Sequence, residues 1–150
     1  TNKVRQIVGQ VGMIESVDSF KLAEEISKRS LKIGKVMDVL VEINSGREEN
    51  KGGIMPEDAA DFCLALRDFP HLKLRGFMTM APKCEKKDEY NKYFSQTYKL
   101  VLDIWTKKLH NISRPIISMG MSDSYRVAIE EGSTLVRVGR KLFDKTKGDR

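Results

Sequence analysis

The hydrophobic positions along the chain follow two spacings, one typical of buried strands and one typical of amphipathic helices. Short apolar runs rich in β-branched residues predict five strands, at residues 11–17, 36–44, 72–80, 115–121 and 134–139. Between them, helical spacing predicts helices at residues 2–9, 18–30, 55–69, 89–109 and 122–132. Strands that alternate with helices through short connections predict a parallel sheet covered by helices.

Two α/β architectures have this order of elements: an open doubly wound sheet and a (β/α) barrel. No GxGxxG motif follows the first predicted strand, which argues against a dinucleotide-binding fold. A closed eight-stranded barrel typically takes about 250 residues. This sequence has 150 residues, predicts only five strands and opens inside a helix. We therefore expect one domain, residues 1–150, that corresponds to the C-terminal five βα units of a (β/α)8 barrel and lacks the first three strands.

Composition narrows the class of protein. A content of 40% hydrophobic and 32% charged residues is typical of a soluble globular protein. There is no apolar run of the roughly 20 residues that span a bilayer, and the first residues lack a signal peptide's apolar segment. Cys63 and Cys84 are too few for a disulfide framework. These features predict a cytoplasmic protein without membrane contact.

The net charge of +6 raises the possibility of nucleic-acid binding. Basic residues are, however, interleaved with acidic ones, as in "REEN" and "KCEKKDE". The sequence also lacks a basic helix and an aromatic RNA-binding motif. We therefore expect a solvated surface of mixed charge and no nucleic-acid partner.

Candidate chemistry lies at the carboxyl ends of the predicted strands, where parallel α/β proteins gather their functional groups. Polar residues lie at or just beyond these strand ends, at Ser16, Asp18, Asn44, Ser118, Ser122 and Arg137. His71 and His110 lie at the opposite ends, which argues against a histidine-activated nucleophile. No group of residues has the spacing of metal ligands. The strand ends therefore favour a polar binding site over a metal centre.

The segment "SMGMSDS" is suited to an anion because it runs from a strand directly into a helix N-terminus. Ser118 and Ser122 add hydroxyl donors, and Gly120 allows the backbone to approach a ligand closely. Gly139 offers backbone N–H groups at the end of the last strand, where barrels often bind phosphate. The alternative is structural: the glycines make tight turns, and Ser122 caps the helix. Both interpretations stay open from the residues alone.

Arg137 alternates with Val136 and Val138 on the last strand, so its side chain points away from theirs. An arginine in such a strand needs a partner. It either pairs with a carboxylate or points into a barrel mouth to bind a ligand. Because guanidinium stays charged, a pyridine nitrogen beside it would be kept unprotonated.

The stretch "ISMGMSDSYRVAIEEGSTLVRVGRKLF" resembles the signature of the pyridoxal 5'-phosphate (PLP) homeostasis proteins. These are single-domain barrels with the fold of the alanine racemase N-terminal domain. The segments "TNKVRQIV", "IESVDS", "VEINSGREENKGG" and "LRGFMTM" are similar to earlier parts of that family, in the same order. The resemblance therefore covers essentially the whole chain.

The resemblance implies a noncatalytic PLP-binding protein that carries or buffers the cofactor in vitamin B6 homeostasis. It assigns Ser118 and the backbone around Gly139 and Arg140 to the phosphate, and Arg137 to the pyridine nitrogen. Asn44 and Met78 match positions near the cofactor ring. The alternative is an enzyme on the same barrel, a PLP-dependent amino-acid racemase or decarboxylase.

This sequence departs from the family pattern in three places. The family's Schiff-base lysine lies on its first strand, which is not predicted in this sequence. Arg140 stands where the family usually has threonine, so a hydroxyl contact is replaced by a charge. Asp144 stands where glycine is usual, which would alter the final turn. An incomplete barrel also exposes a sheet edge, so we expect self-association or pairing with the missing N-terminal segment.

Overall fold

A computed structural model describes residues 3–108 and 114–143 of the chain. Its strands are β1 (Met13–Val17), β2 (Met37–Ile43), β3 (Leu72–Thr79), β4 (Ile116–Met121) and β5 (Leu135–Arg137). Its helices are α1 (Val4–Ile7), α2 (Phe20–Lys32), α3 (Ala59–Ala65), α4 (Glu89–Thr106), α5 (Tyr125–Glu130) and α6 (Arg140–Phe143). The strands form one parallel sheet in the order β1-β2-β3-β4-β5.

All five predicted strands form, and helices form in all five predicted helical segments. Ser19 caps α2, since its hydroxyl accepts a hydrogen bond from Leu22 N at 3.4 Å. The helix predicted at 55–69 is wrong in its extent, because 3₁₀ turns flank α3 at Pro56–Asp58 and Leu66–Asp68. Proline at the first position fits this start, since it has no N–H to donate. The predictions that concern His110 and Asp144 fall outside the described residues.

The sheet is curled, and a contact between β1 and β4 shows it. Three strand spacings would separate these strands by about 14 Å in a flat sheet. The Ser118 hydroxyl on β4 nevertheless donates a hydrogen bond to Glu15 Oε2 on β1 at 2.7 Å. Sequential strand order with right-handed crossovers places the helices on one face and leaves the other as the concave interior. The architecture is therefore part of a (β/α) barrel, as predicted.

The hydrophobic core fills the space between the sheet and the helices. Val41 and Ile43 on β2 and Phe77 on β3 belong to it, and so do Phe94 and Val101 on α4. Because side chains alternate along a strand, the residues between these core positions face the concave interior. No helix among the described residues has the length and apolar character to cross a membrane.

Candidate functional site at the carboxyl ends of the strands

Arg137, the last residue of β5, joins three neighbouring strands at the mouth of the concave face. Its Nη1 donates to the Ser118 hydroxyl oxygen on β4 at 2.6 Å, and its Nη2 donates to the Thr79 carbonyl on β3 at 3.0 Å. The Thr79 hydroxyl in turn donates to the Ile43 carbonyl at the end of β2, at 2.8 Å. The side chain of Arg137 is therefore fixed at the strand ends.

The positive charge of Arg137 is partly compensated by carboxylates that lie near it. Burial lowers the pKa of Arg137, while the nearby carboxylates of Glu15 and Glu42 raise it. Guanidinium remains protonated throughout the ordinary pH range. Its two hydrogen bonds within the described residues use only two of its five N–H donors. Arg137 thus keeps a positive charge and donors for a ligand.

Glu42 places a second carboxyl group on the concave face. It is only 8% exposed, and its carboxylate receives no hydrogen bond within residues 3–108 and 114–143. Burial raises its pKa, and the neighbouring charge of Asp18 raises it further, whereas Arg137 lowers it. Because burial is the largest of these effects, ionisation of Glu42 opposes folding.

We expect Glu42→Gln to stabilise the protein by about 1 kcal/mol at pH 8 and to have little effect near pH 4. A raised pKa means that the native state binds the proton more tightly. The wild-type protein therefore loses stability as the pH rises from about 4.5 through the native pKa of Glu42. Urea denaturation at both pH values measures this, with Glu24→Gln on the exposed face of α2 as the control. An equal effect of Glu42→Gln at both pH values would contradict the prediction.

The turns after β4 and β5 lie side by side at this edge. Met121 is in register with Arg137, and the Ser122 hydroxyl accepts a hydrogen bond from Lys141 N at 3.2 Å. The Arg140 guanidinium donates to the Asp123 carboxylate, and both side chains are exposed. No atom outside the adjacent residues lies within 4 Å of the position that a Cβ on Gly139 would occupy. The two turns therefore bring a hydroxyl, backbone N–H groups and a guanidinium together beside open space.

Gly120 has a packing role that its sequence position did not reveal. Its φ is +94°, and a Cβ there would lie 2.5 Å from Ala128 Cβ and 2.9 Å from Tyr125 Cα. The absence of a side chain therefore allows α5 to pack directly against β4. The Ser124 hydroxyl adds a further constraint by accepting a hydrogen bond from Met121 N at 3.2 Å. Together these contacts fix the turn that contains Ser122.

The two residues predicted near a cofactor ring lie in different settings. Met78 is 5% exposed on β3, in register with Glu42 on one side and Ser118 on the other. The Asn44 amide donates to the Glu48 carbonyl at 2.9 Å and accepts from Glu48 N at 3.1 Å. Met78 therefore lies on the concave face beside Ser118, whereas Asn44 stabilises the loop after β2.

Sequence reasoning singled out Ser118 and Arg137, which the structure brings into contact, and it missed Glu15 and Glu42. Ser118 is only 1% exposed, and its hydroxyl lies between Glu15 and Arg137 rather than in the turn that holds Ser122. The signal that could have identified them is a glutamate inside an apolar run: Glu15 in "MIESV" and Glu42 in "VLVEI". The alternation argument applied to Arg137 would have placed both carboxylates on the concave face as well.

A curled parallel sheet of five strands, with helices between the strands and polar groups at the last two strand ends, defines part of a (β/α) barrel of the alanine racemase type. Residues 2–145 match the family model for the alanine racemase N-terminal domain, and the chain belongs to that family. A PLP homeostasis protein of Aquifex aeolicus is 41% identical over 147 residues, which cover 98% of this chain and 64% of that protein. The counterpart in Helicobacter pylori is 35% identical, with 95% and 62% covered. The chain thus spans less than two thirds of these relatives.

Solved structures agree with this assignment. PipY of Synechococcus elongatus without PLP has a TM-score of 0.85 and 28% identity, over 95% of this chain and 66% of that one. With PLP bound, the values are 0.82 and 27%, over 95% and 65%. An alanine racemase of Clostridium difficile shares the fold, with a TM-score of 0.75 and 20% identity over 99% of this chain and 38% of that one. The predicted family and fold are confirmed.

Proposed function

We propose that this chain forms the phosphate-binding and ring-nitrogen-binding side of a PLP site in a noncatalytic protein that carries or buffers the cofactor. The observation that carries the proposal is the fixed Arg137 guanidinium beside the open turns after β4 and β5. A donor that stays charged suits an acceptor with a free lone pair, such as the pyridine nitrogen. PLP homeostasis proteins among the relatives, and PLP in one PipY structure, support the same ligand.

The donors fit the two ends of PLP differently. Ser122 and the backbone N–H groups of Gly139 and Arg140 would hold the phosphate, since hydroxyl and amide donors beside a guanidinium suit a dianion. Arg137 would face the ring nitrogen, and Met78 would contact the ring. Ser118 would act on the cofactor only indirectly, by supporting Arg137, because its hydroxyl bonds to Arg137 and Glu15. Bound PLP supplies a reactive aldehyde and an electron-withdrawing ring.

The phosphate assignment is tested by comparing PLP with pyridoxal, which lacks the phosphate. We expect the wild-type chain to bind PLP at least tenfold more tightly, because charge-assisted contacts contribute about 1.5 kcal/mol or more. Ser122→Ala should weaken PLP binding about threefold to tenfold and leave pyridoxal binding unchanged. Equilibrium dialysis measures both affinities, and Ser95→Ala on α4 is the matched control. Equal affinities of the wild-type chain for the two ligands would refute the phosphate site.

The covalent and catalytic parts of the proposal need a separate test. The family resemblance places the Schiff-base lysine on a strand that this sequence does not include. We therefore expect borohydride treatment of the PLP complex to leave no single lysine labelled at stoichiometric level. Stoichiometric labelling of one lysine would contradict this. Formation of D-amino acids by the PLP-loaded protein would favour the racemase alternative over a carrier.

A further inference from the structure

Glu15 and Arg137 lie on β1 and β5 and are connected through one hydroxyl. Ser118 Oγ donates a hydrogen bond to Glu15 Oε2 at 2.7 Å and accepts one from Arg137 Nη1 at 2.6 Å. Glu15 and Arg137 form no direct ion pair within the described residues. We propose that Glu15 is a positioning residue that holds Arg137 in its ligand-facing orientation through Ser118. This inference rests on the proposed function.

The direction of the two hydrogen bonds explains the need for a carboxylate. A serine hydroxyl has one proton, and an ionised carboxylate can only accept. The Ser118 hydroxyl therefore donates its hydrogen bond to Glu15, and its oxygen is free to accept a hydrogen bond from Arg137. Without that carboxylate the hydroxyl can rotate and donate elsewhere, and Nη1 loses a fixed acceptor. Ser118 is 1% exposed, so water does not readily replace the missing partner.

An indirect link also leaves Arg137 available to a ligand. A carboxylate in direct contact would form two parallel hydrogen bonds with the guanidinium and neutralise it locally. The Ser118 relay uses Nη1, and the Thr79 carbonyl uses Nη2. The remaining donors and most of the charge are left for an acceptor at the mouth. The arrangement thus combines a fixed orientation with unused hydrogen-bonding capacity.

The contact between Glu15 and Ser118 joins two strands that are not adjacent in the sheet. The two residues are 103 positions apart in sequence and lie on strands with two others between them. Because β1 and β4 meet only across the concave face, Glu15 acts on Arg137 from the opposite wall of the partial barrel. A change at Glu15 should therefore alter ring-nitrogen recognition without touching the turns that contain Ser122 and Gly139.

The test compares PLP with an analogue in which the ring nitrogen is replaced by C–H. We expect the wild-type chain to prefer PLP at least tenfold, and both Glu15→Gln and Ser118→Ala to reduce that preference below threefold. Affinity for the analogue should stay within twofold in every variant, and the double variant should lose no more than either single one. Glu24→Gln is the control for charge alone. Thermal melts monitored by circular dichroism verify that each variant is folded.

Three outcomes would overturn the inference: equal weakening of both ligands, an unchanged preference in Glu15→Gln, or an unchanged preference in Ser118→Ala. Nitrogen-15 NMR of the Arg137 guanidinium gives a readout that needs no ligand. We expect slow Nη rotation in the wild-type chain and faster rotation in Glu15→Gln, whereas identical signals would refute positioning. If the wild-type chain bound neither ligand, the proposed PLP site would be wrong, and the NMR comparison would still decide whether Glu15 fixes Arg137.

Discussion

Replacing Gly76 with alanine is expected to lower the free energy of unfolding by more than about 3 kcal/mol. Gly76 lies on β3 in register with Ile116 on β4. A Cβ at Gly76 would come within 1.9 Å of the Ile116 carbonyl oxygen and 2.5 Å of the Ile116 nitrogen. Both are backbone atoms of the adjacent strand, so they cannot move aside as a flexible side chain would. The substitution must separate β3 from β4.

Urea denaturation followed by circular dichroism measures this effect. Gly9→Ala is the matched control, because no atom outside the adjacent residues lies within 4 Å of the Cβ position there. A loss of less than about 1 kcal/mol in Gly76→Ala would contradict the described pairing of β3 with β4. The same pairing places Met78 opposite Ser118, so its disruption should also impair PLP binding in any protein that remains folded.

Replacing Arg137 with methionine is expected to weaken PLP binding by about thirtyfold or more, equivalent to about 2 kcal/mol. The variant keeps an unbranched apolar side chain of similar reach and removes both the charge and the donors to Ser118 and Thr79. We also expect a loss of stability of about 1–3 kcal/mol, because the buried Ser118 oxygen loses the donor that it accepts from. Isothermal titration calorimetry with PLP measures the affinity.

Arg67→Met is the control for this substitution, since Arg67 is exposed in the turn before β3, at the opposite end of the sheet. Arg137→Lys provides a second comparison. It keeps the charge but not the planar fork that reaches Ser118 and Thr79 together, so we expect an intermediate affinity. PLP affinity in Arg137→Met equal to that of the wild-type chain would remove Arg137 from the site.

Local patterns predicted most of the secondary structure, because burial on a strand or helix leaves a periodic signal in the sequence. The runs "VMDVLVEIN" and "LKLRGFMTM" both formed strands where predicted. The 55–69 segment was less predictable, since proline and a short helix favour 3₁₀ turns that apolar spacing does not distinguish. The packing role of Gly120 could not be predicted from the sequence, because it depends on the position of Ala128 across the turn.

The sequence by itself determined the alternating order of elements, the barrel family and the direction of Arg137 opposite to Val136 and Val138, because each rests on short-range pattern or on a contiguous motif. Only the tertiary structure decided what Arg137 contacts. Glu15 and Ser118 are brought within 2.7 Å by the curl of the sheet, and no local spacing encodes that separation. The same curl assigns Ser118 to the support of Arg137, because its hydroxyl already donates to a carboxylate and accepts from a guanidinium.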